Sequence, residues 1–213
     1  MSDRSIKAIL FDLGNVIVKV RHDIFEKNLT PHIRKQPEGG VFGYILGSDN
    51  INKYQEGKIT SSQFYSRTCR YFKMKIPYRE FYDIWNNMFE LYPEMEEIIK
   101  SIRKNYPDIR LVLLSDTNET HYEFLRNKCK ALALFDEYVL SYEVGRQKPH
   151  PQIFRKALRS AGAAAKNTFY ADDRADLIEA ARVMGIRAFQ FTGHEKFLEQ
   201  LAKFGVNPNI PSP

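Results

Sequence analysis

The chain has 213 residues, 43% hydrophobic and 27% charged, which is enough apolar material for one full core with a smaller companion module. The longest apolar runs, such as Ala131 to Phe135, stop after a few positions, far short of the roughly 18 to 20 residues of a membrane-crossing helix, so no membrane partner is expected. Lys and Arg outnumber Asp and Glu by 32 to 26, a net charge of +6, yet they are scattered, with no basic block or aromatic-interleaved run, and nucleic acid is not expected as a partner either.

At the N-terminus MSDRSIK runs directly into AILF with no apolar leader and no small-residue cleavage site, which predicts an unprocessed, cytoplasmic protein. Cys69 and Cys129 are too few for a disulfide framework and are expected to be reduced thiols. The first predicted strand is Ile6 to Phe11. About 90 residues then pass before the next, many more than the dozen or so that a crossover requires, so an extra module is inserted there. Its sequence is aromatic and helical, with Thr60 and Gln63 at capping-box spacing before FYSRTCRYF and with Trp85 in a later FYDIWNNMF. The aromatic stripe of Phe64, Tyr65, Tyr71, Phe72, Phe81, Tyr82 and Trp85 is read as the core of this module rather than as a stacking surface.

Further strands are predicted at Arg110 to Ser115, Glu137 to Ser141, Asn167 to Ala171 and Arg187 to Phe191. Helical spacing appears in Met95, Ile98, Ile99 and Ile102, in Phe154, Ala157, Leu158 and Ala161, and in Leu177, Ile178, Ala181 and Met184, with Gly162 and Gly185 as stops. Such alternation predicts an α/β fold, a three-layer Rossmann-like parallel sheet built from residues 1–19 and 91–213, with a helical cap at residues 20–90. The tail VNPNIPSP after Phe204 is expected to be frayed or extended.

Ligands of an open parallel sheet bind beyond the carboxyl ends of its strands. There the sequence places Asp12 after the first strand, Ser115, Asp116, Thr117 and Asn118 after the second, Lys148 after the third, and Asp172 and Asp173 after the fourth. Singly, each reads first as a helix cap or a loop residue. Together, carboxylates crowded on one edge repel one another and suit a hard divalent cation, Mg²⁺ in a cell. A carboxylate beside such a cation can attack a phosphoryl group, with Ser and Lys holding the phosphate oxygens.

FDLGNVIV at residues 11–18, LLSDTN at 113–118, Lys148 in GRQKPHPQIF and FYADD at 169–173 resemble, in order and spacing, the four motifs of the haloacid dehalogenase-like (HAD) hydrolase superfamily. The likeness extends to a helical-cap phosphatase subgroup that includes a bacterial alpha-D-glucose-1-phosphate phosphatase. It implies Asp12 as nucleophile and metal ligand, Asp173 as metal ligand with Asp172 as a neighbouring or alternative one, and Lys148 paired with the nucleophile. Ser115 would bind phosphate, with Asp116 and Asn15 beside it; Asn15 also reads as the residue that fixes the turn.

One position departs from the pattern. Most phosphatases of the family carry a second Asp two residues after the nucleophile, as acid and base, and this chain has Gly14. A glycine keeps the backbone carbonyl that the family's metal also takes. Three readings follow: a Mg²⁺-dependent phosphatase of small phosphorylated metabolites, monomeric or homodimeric; a carbon–halogen or carbon–phosphorus hydrolase; or a binding protein without turnover. The paired Asp172 and Asp173 favour the first, since a dehalogenase needs no metal. Substitute acids are His22, Asp116 or a group from the cap, and only His22 has an intrinsic pKa near neutrality.

Overall fold

In the computed structural model, which describes residues 5–38 and 40–208, seven strands occur among the described residues. They are β1 (Ala8–Phe11), β2 (Val18–Val20), β3 (Phe89–Leu91), β4 (Arg110–Ser115), β5 (Glu137–Leu140), β6 (Thr168–Asp172) and β7 (Arg187–Gln190). Five form one parallel sheet in the order β5-β4-β1-β6-β7. Successive side chains of a strand point to opposite faces, and the two faces have separate cores. Ile9, Phe11, Leu111, Leu113, Phe169 and Ala171 pack on one side. Ala8, Leu10, Val112, Leu114 and Tyr170 pack on the other.

Helices cover both faces, so the three-layer α/β expectation holds. In chain order they are α1 (His22–Leu29), α2 (Val41–Leu46), α3 (Asp49–Gln55), α4 (Ser61–Phe72), α5 (Tyr78–Asn86), α6 (Pro93–Asn105), α7 (Glu119–Lys128), α8 (Ser141–Val144), α9 (Pro151–Ala161), α10 (Ala175–Val183) and α11 (His194–Ala202). The apolar faces of α6, α7 and α11 close one layer through Ile98, Leu125 and Phe197. Those of α9 and α10 close the other through Phe154, Ala157 and Ile178. Helix α9 stops as read, with Gly162 in the left-handed region at φ 61°.

Between β2 and β3, α1 to α5 surround a hydrophobic cluster of their own, centred on Phe25, Phe64, Phe72, Phe81 and Trp85. Tyr65 and Tyr71 of the aromatic stripe are only partly buried beside it. The capping box is formed: Thr60 Oγ1 accepts from the Gln63 amide at 3.2 Å and Gln63 Oε1 accepts from the Thr60 amide at 2.9 Å. Strands β2 and β3 pair antiparallel with Val20 opposite Phe89, so the chain leaves for the helices and returns from them at adjacent positions. Where α3 turns toward α4, Gly57 has φ 65° and lies so close to the backbone of α8 that a Cβ would stand 2.2 Å from the Tyr142 carbonyl oxygen. Only glycine fits there.

Of the tail VNPNIPSP, only residues 206–208 are described. Val206 is 2% exposed and the Asn207 amide donates to Tyr106 Oη at 2.7 Å, so the residues just after Phe204 dock on the core instead of fraying. The last five residues and the first four lie outside the described residues.

Candidate active site

Register alone brings the candidate residues together. Phe11 is level with Leu113 on one side and Ala171 on the other, so Asp12, Ser115 and Asp172 emerge at the same sheet edge. The turn after β1 is held by Ile17 N and Val18 N donating to the Leu13 carbonyl, both at 3.0 Å, with Asn15 in the left-handed region at φ 56°. Asn is among the side chains that tolerate that conformation. Its amide joins two elements: Nδ2 donates to Asp173 Oδ2 at 3.0 Å and Oδ1 accepts from the Val20 amide at 3.1 Å.

Lys148 is the electrostatic hub. Its side chain is 2% exposed, and Nζ donates to Asp12 Oδ1 at 2.6 Å, Asp172 Oδ2 at 2.7 Å and the Leu114 carbonyl at 3.3 Å, which uses all three ammonium protons. Its backbone amide donates to Asp116 Oδ1 at 2.9 Å, so the carboxylate after Ser115 anchors the loop that carries the lysine. Asp172 also accepts from the Tyr170 hydroxyl and, at 2.9 Å, from the Arg174 amide. Asn118 caps α7 by accepting from the His121 amide at 3.1 Å.

These partners set the charges. Burial opposes the Lys148 ammonium, but Asp12, Tyr170, Asp172 and Asp116 around it keep its pKa well above the ordinary value. Burial also opposes ionisation of Asp172, yet Lys148, the Tyr170 hydroxyl and the Arg174 amide outweigh it and hold this carboxylate low. Asp12 shares the same ammonium with fewer donors, and burial pushes it up to about 7 against the pull of Lys148. Asp116 and Asp173 are likewise raised by burial, opposed by Lys148 and by the Asn15 hydrogen bond respectively. Asp12, Asp172 and Asp173 each offer an oxygen within 4.8 Å of the others.

A cavity of about 390 Å³ opens over this cluster. The eight residues that the family resemblance assigns to the site, Asp12, Gly14, Asn15, Ser115, Asp116, Lys148, Asp172 and Asp173, line it. Its other wall comes from the helices between β2 and β3, with His22, Phe42, Asn52, Gln55 and Trp85 among the lining residues. Sequence reasoning missed several neighbours. Gln147 and Arg174 flank motif residues and line the same cavity, and Tyr170, inside a fully buried strand, reads as core until its hydroxyl is seen on Asp172. Beside Gly14 there is little spare room: a Cβ would meet Val20 Cγ2 at 3.3 Å.

His121, which carries no motif, seals the seam between sheet and helices. Its ring stacks on Trp85 with centroids 4.6 Å apart, Nε2 lies 3.1 Å from the Trp85 carbonyl and Nδ1 3.1 Å from Asn118 Nδ2. Those partners assign the neutral Nε2–H tautomer. Burial lowers its pKa to about 3.

The chain is 26% identical over 200 residues to a D-ribitol-5-phosphate phosphatase of Bacteroides thetaiotaomicron, covering 87% of this chain and 91% of that protein. It is 22% identical over 205 residues to the drimenol cyclase drtB of Aspergillus calidoustus, where it spans 95% of its own length and only 37% of that protein's. Among solved structures, a HAD family enzyme of Bacteroides thetaiotaomicron superposes with a TM-score of 0.81 at 22% identity, over 92% of this chain and 98% of that one. The wild-type form of that enzyme in complex with magnesium and inorganic phosphate superposes at 0.78, with 22% identity over 89% and 96% of the two chains. The haloacid dehalogenase-like hydrolase family model matches residues 6–185, the stretch that contains all four motifs and the lysine-centred cluster, and the chain therefore belongs to that family.

Proposed function

We propose that the chain is a Mg²⁺-dependent phosphatase of small phosphomonoesters, sugar and polyol phosphates in particular, acting through a phosphorylated Asp12. The observation that carries this reading is the single buried ammonium of Lys148 bridging Asp12 and Asp172 at the floor of a cavity that also holds Ser115 and Asp173. The substrate class is supported by the similarity to the D-ribitol-5-phosphate phosphatase.

The donor chemistry fits magnesium, because three carboxylates within reach of one another form a hard oxygen set. Asp172 is already engaged by Lys148, Tyr170 and Arg174, so Asp12, Asp173 and the Gly14 carbonyl would hold the cation, with Asp172 as their charged neighbour. The cation, when bound, neutralises the phosphate and polarises the P–O bonds. Lys148 holds Asp12 by one carboxylate oxygen and places a point charge beside the incoming phosphate. Ser115 donates its hydroxyl to a phosphate oxygen. Asp116 fixes the Lys148 loop, and Asn15 orients Asp173. Attack by the Asp12 carboxylate on phosphorus expels the alcohol, and water then cleaves the acyl phosphate to return the carboxylate and inorganic phosphate.

Residues 20–90 act as the cap that keeps bulk water out during the first step. The cavity volume lies at the small end of ligand pockets and suits a metabolite rather than a phosphoprotein. Cys69 and Cys129 are free cysteines, as proteins of a reducing compartment commonly have. The test is phosphate release from a panel of sugar and polyol phosphates with and without MgCl₂. Turnover that needs the metal and vanishes in Asp12→Asn supports the reading, and turnover that survives Asp12→Asn refutes it.

A further inference from the structure

Expelling an ordinary alcohol from a phosphomonoester requires a proton at the leaving oxygen, and the same site must later take one from water. The cavity offers few groups that can do either. Lys148 spends its three protons on Asp12, Asp172 and Leu114, and Arg174 is paired with Asp176 and does not titrate near neutrality. Both nitrogens of His121 are engaged, one by the Trp85 carbonyl and one by Asn118. Asp116 is bound to the Lys148 amide on the sheet side.

His22 is different. It opens α1, two residues beyond the Val20 that crowds Gly14, and it lines the cavity from the helical side. Its ring is held flat against Phe42, with centroids 3.9 Å apart and planes at 23°. Among the described residues neither ring nitrogen has a hydrogen-bond partner. The charged groups around it are Asp23 and Glu26 on its own helix and Arg21 just before, which is paired with Asp23 and with Glu90 of β3; from α2 it meets the Phe42 ring. Partial burial lowers its pKa from the ordinary imidazole value, with Glu26 and Asp23 opposing.

We propose that His22 is the catalytic acid and base of this site, a step that rests on the phosphatase reading above. In the first half-reaction the Asp12 oxygen bonds to phosphorus, the phosphorus–alcohol bond breaks, and the imidazolium proton goes to the departing oxygen. In the second, the neutral imidazole takes a proton from water, the water oxygen bonds to phosphorus, and the Asp12–phosphorus bond breaks. The alcohol and inorganic phosphate leave, and His22 is protonated again.

His22→Gln and His22→Asn test this against two substrates, a polyol phosphate with a poor leaving group and p-nitrophenyl phosphate, whose leaving group needs no proton. General acid assistance is worth about 10² to 10⁴ in rate. The expected result is a fall in kcat/KM, which reports the first half-reaction, of about a hundredfold or more on the polyol ester, a fall of less than about tenfold on the aryl ester, and loss of the alkaline limb of the wild-type kcat/KM pH profile for the polyol ester. Thermal melts check that the variants are folded. Equal losses of kcat/KM on both substrates, or an unchanged kcat/KM pH profile, overturn the assignment of His22 while leaving the phosphatase intact. If the wild type with Mg²⁺ hydrolyses neither ester, the phosphatase reading and the His22 assignment fall together.

Discussion

Acid should loosen this protein at one identifiable place, the His121 seam. The imidazole is buried between Trp85, Asn118 and Phe89, and its pKa falls from 6.5 to about 3, chiefly through burial. The unfolded chain therefore takes up this proton first as pH falls, so the contribution of His121 is complete above about pH 6.5 and is lost progressively toward pH 3. At about 1.4 kcal/mol per pH unit the loss is about 3 kcal/mol at pH 4.5 and about 5 kcal/mol once titration is complete, a large share of the 5 to 15 kcal/mol that typically stabilises a domain. The chain has one tryptophan, Trp85, and it lies against the imidazole, so urea unfolding can be followed by its fluorescence. Comparing wild type with His121→Gln at pH 7.5 and 4.5 cancels the carboxylates, which titrate in both. Wild type should lose about 3 kcal/mol more than the variant over that interval. Equal losses would refute the enclosed, neutral assignment.

Three other perturbations have defined outcomes. Lys148→Met leaves Asp12 and Asp172 facing each other without their ammonium, so thermal stability should drop at pH 7.5 by about 3 to 5 kcal/mol. It should recover as pH falls and the raised carboxylates protonate, and partly on addition of MgCl₂, which differential scanning calorimetry reads directly. Gly14→Asp alone must push Val20 aside, whereas Gly14→Asp with Val20→Ala has room. The double variant should hydrolyse alkyl phosphates faster than the single one, with little change on p-nitrophenyl phosphate, as compared by phosphate release. Gly57→Ala drives a methyl group into the Tyr142 carbonyl and strains φ, so it should destabilise the protein by at least about 1 kcal/mol and increase protease cleavage between α3 and α4.

Much of the sheet and of the site could be read from the chain because both follow local rules. Uninterrupted apolar runs announce parallel strands buried on both faces, and the polar residue after each run marks the edge where ligands collect. Hence Asp12, Ser115, Lys148 and Asp173 are nameable before any coordinates. The β2–β3 ribbon is not, because VKV and FEL are three residues each and VKV merges with the apolar run before it. Tyr170 is hidden by its own strand, and the opposing wall of Asn52, Gln55 and Phe42 depends on how the helices fold back over the sheet, a long-range outcome with no periodic signature. The docking of Val206 is missed for a related reason: proline and asparagine neighbours signal an extended segment and say nothing of what it lies on.

The ribbon has a further consequence. Because Val20 and Phe89 face each other across an antiparallel pair, the gap between them is about 5 Å and an Asn-Gly corner could span it. The five helices are thus an insertion between two paired strands, and none of the five strands of the parallel sheet lies within it.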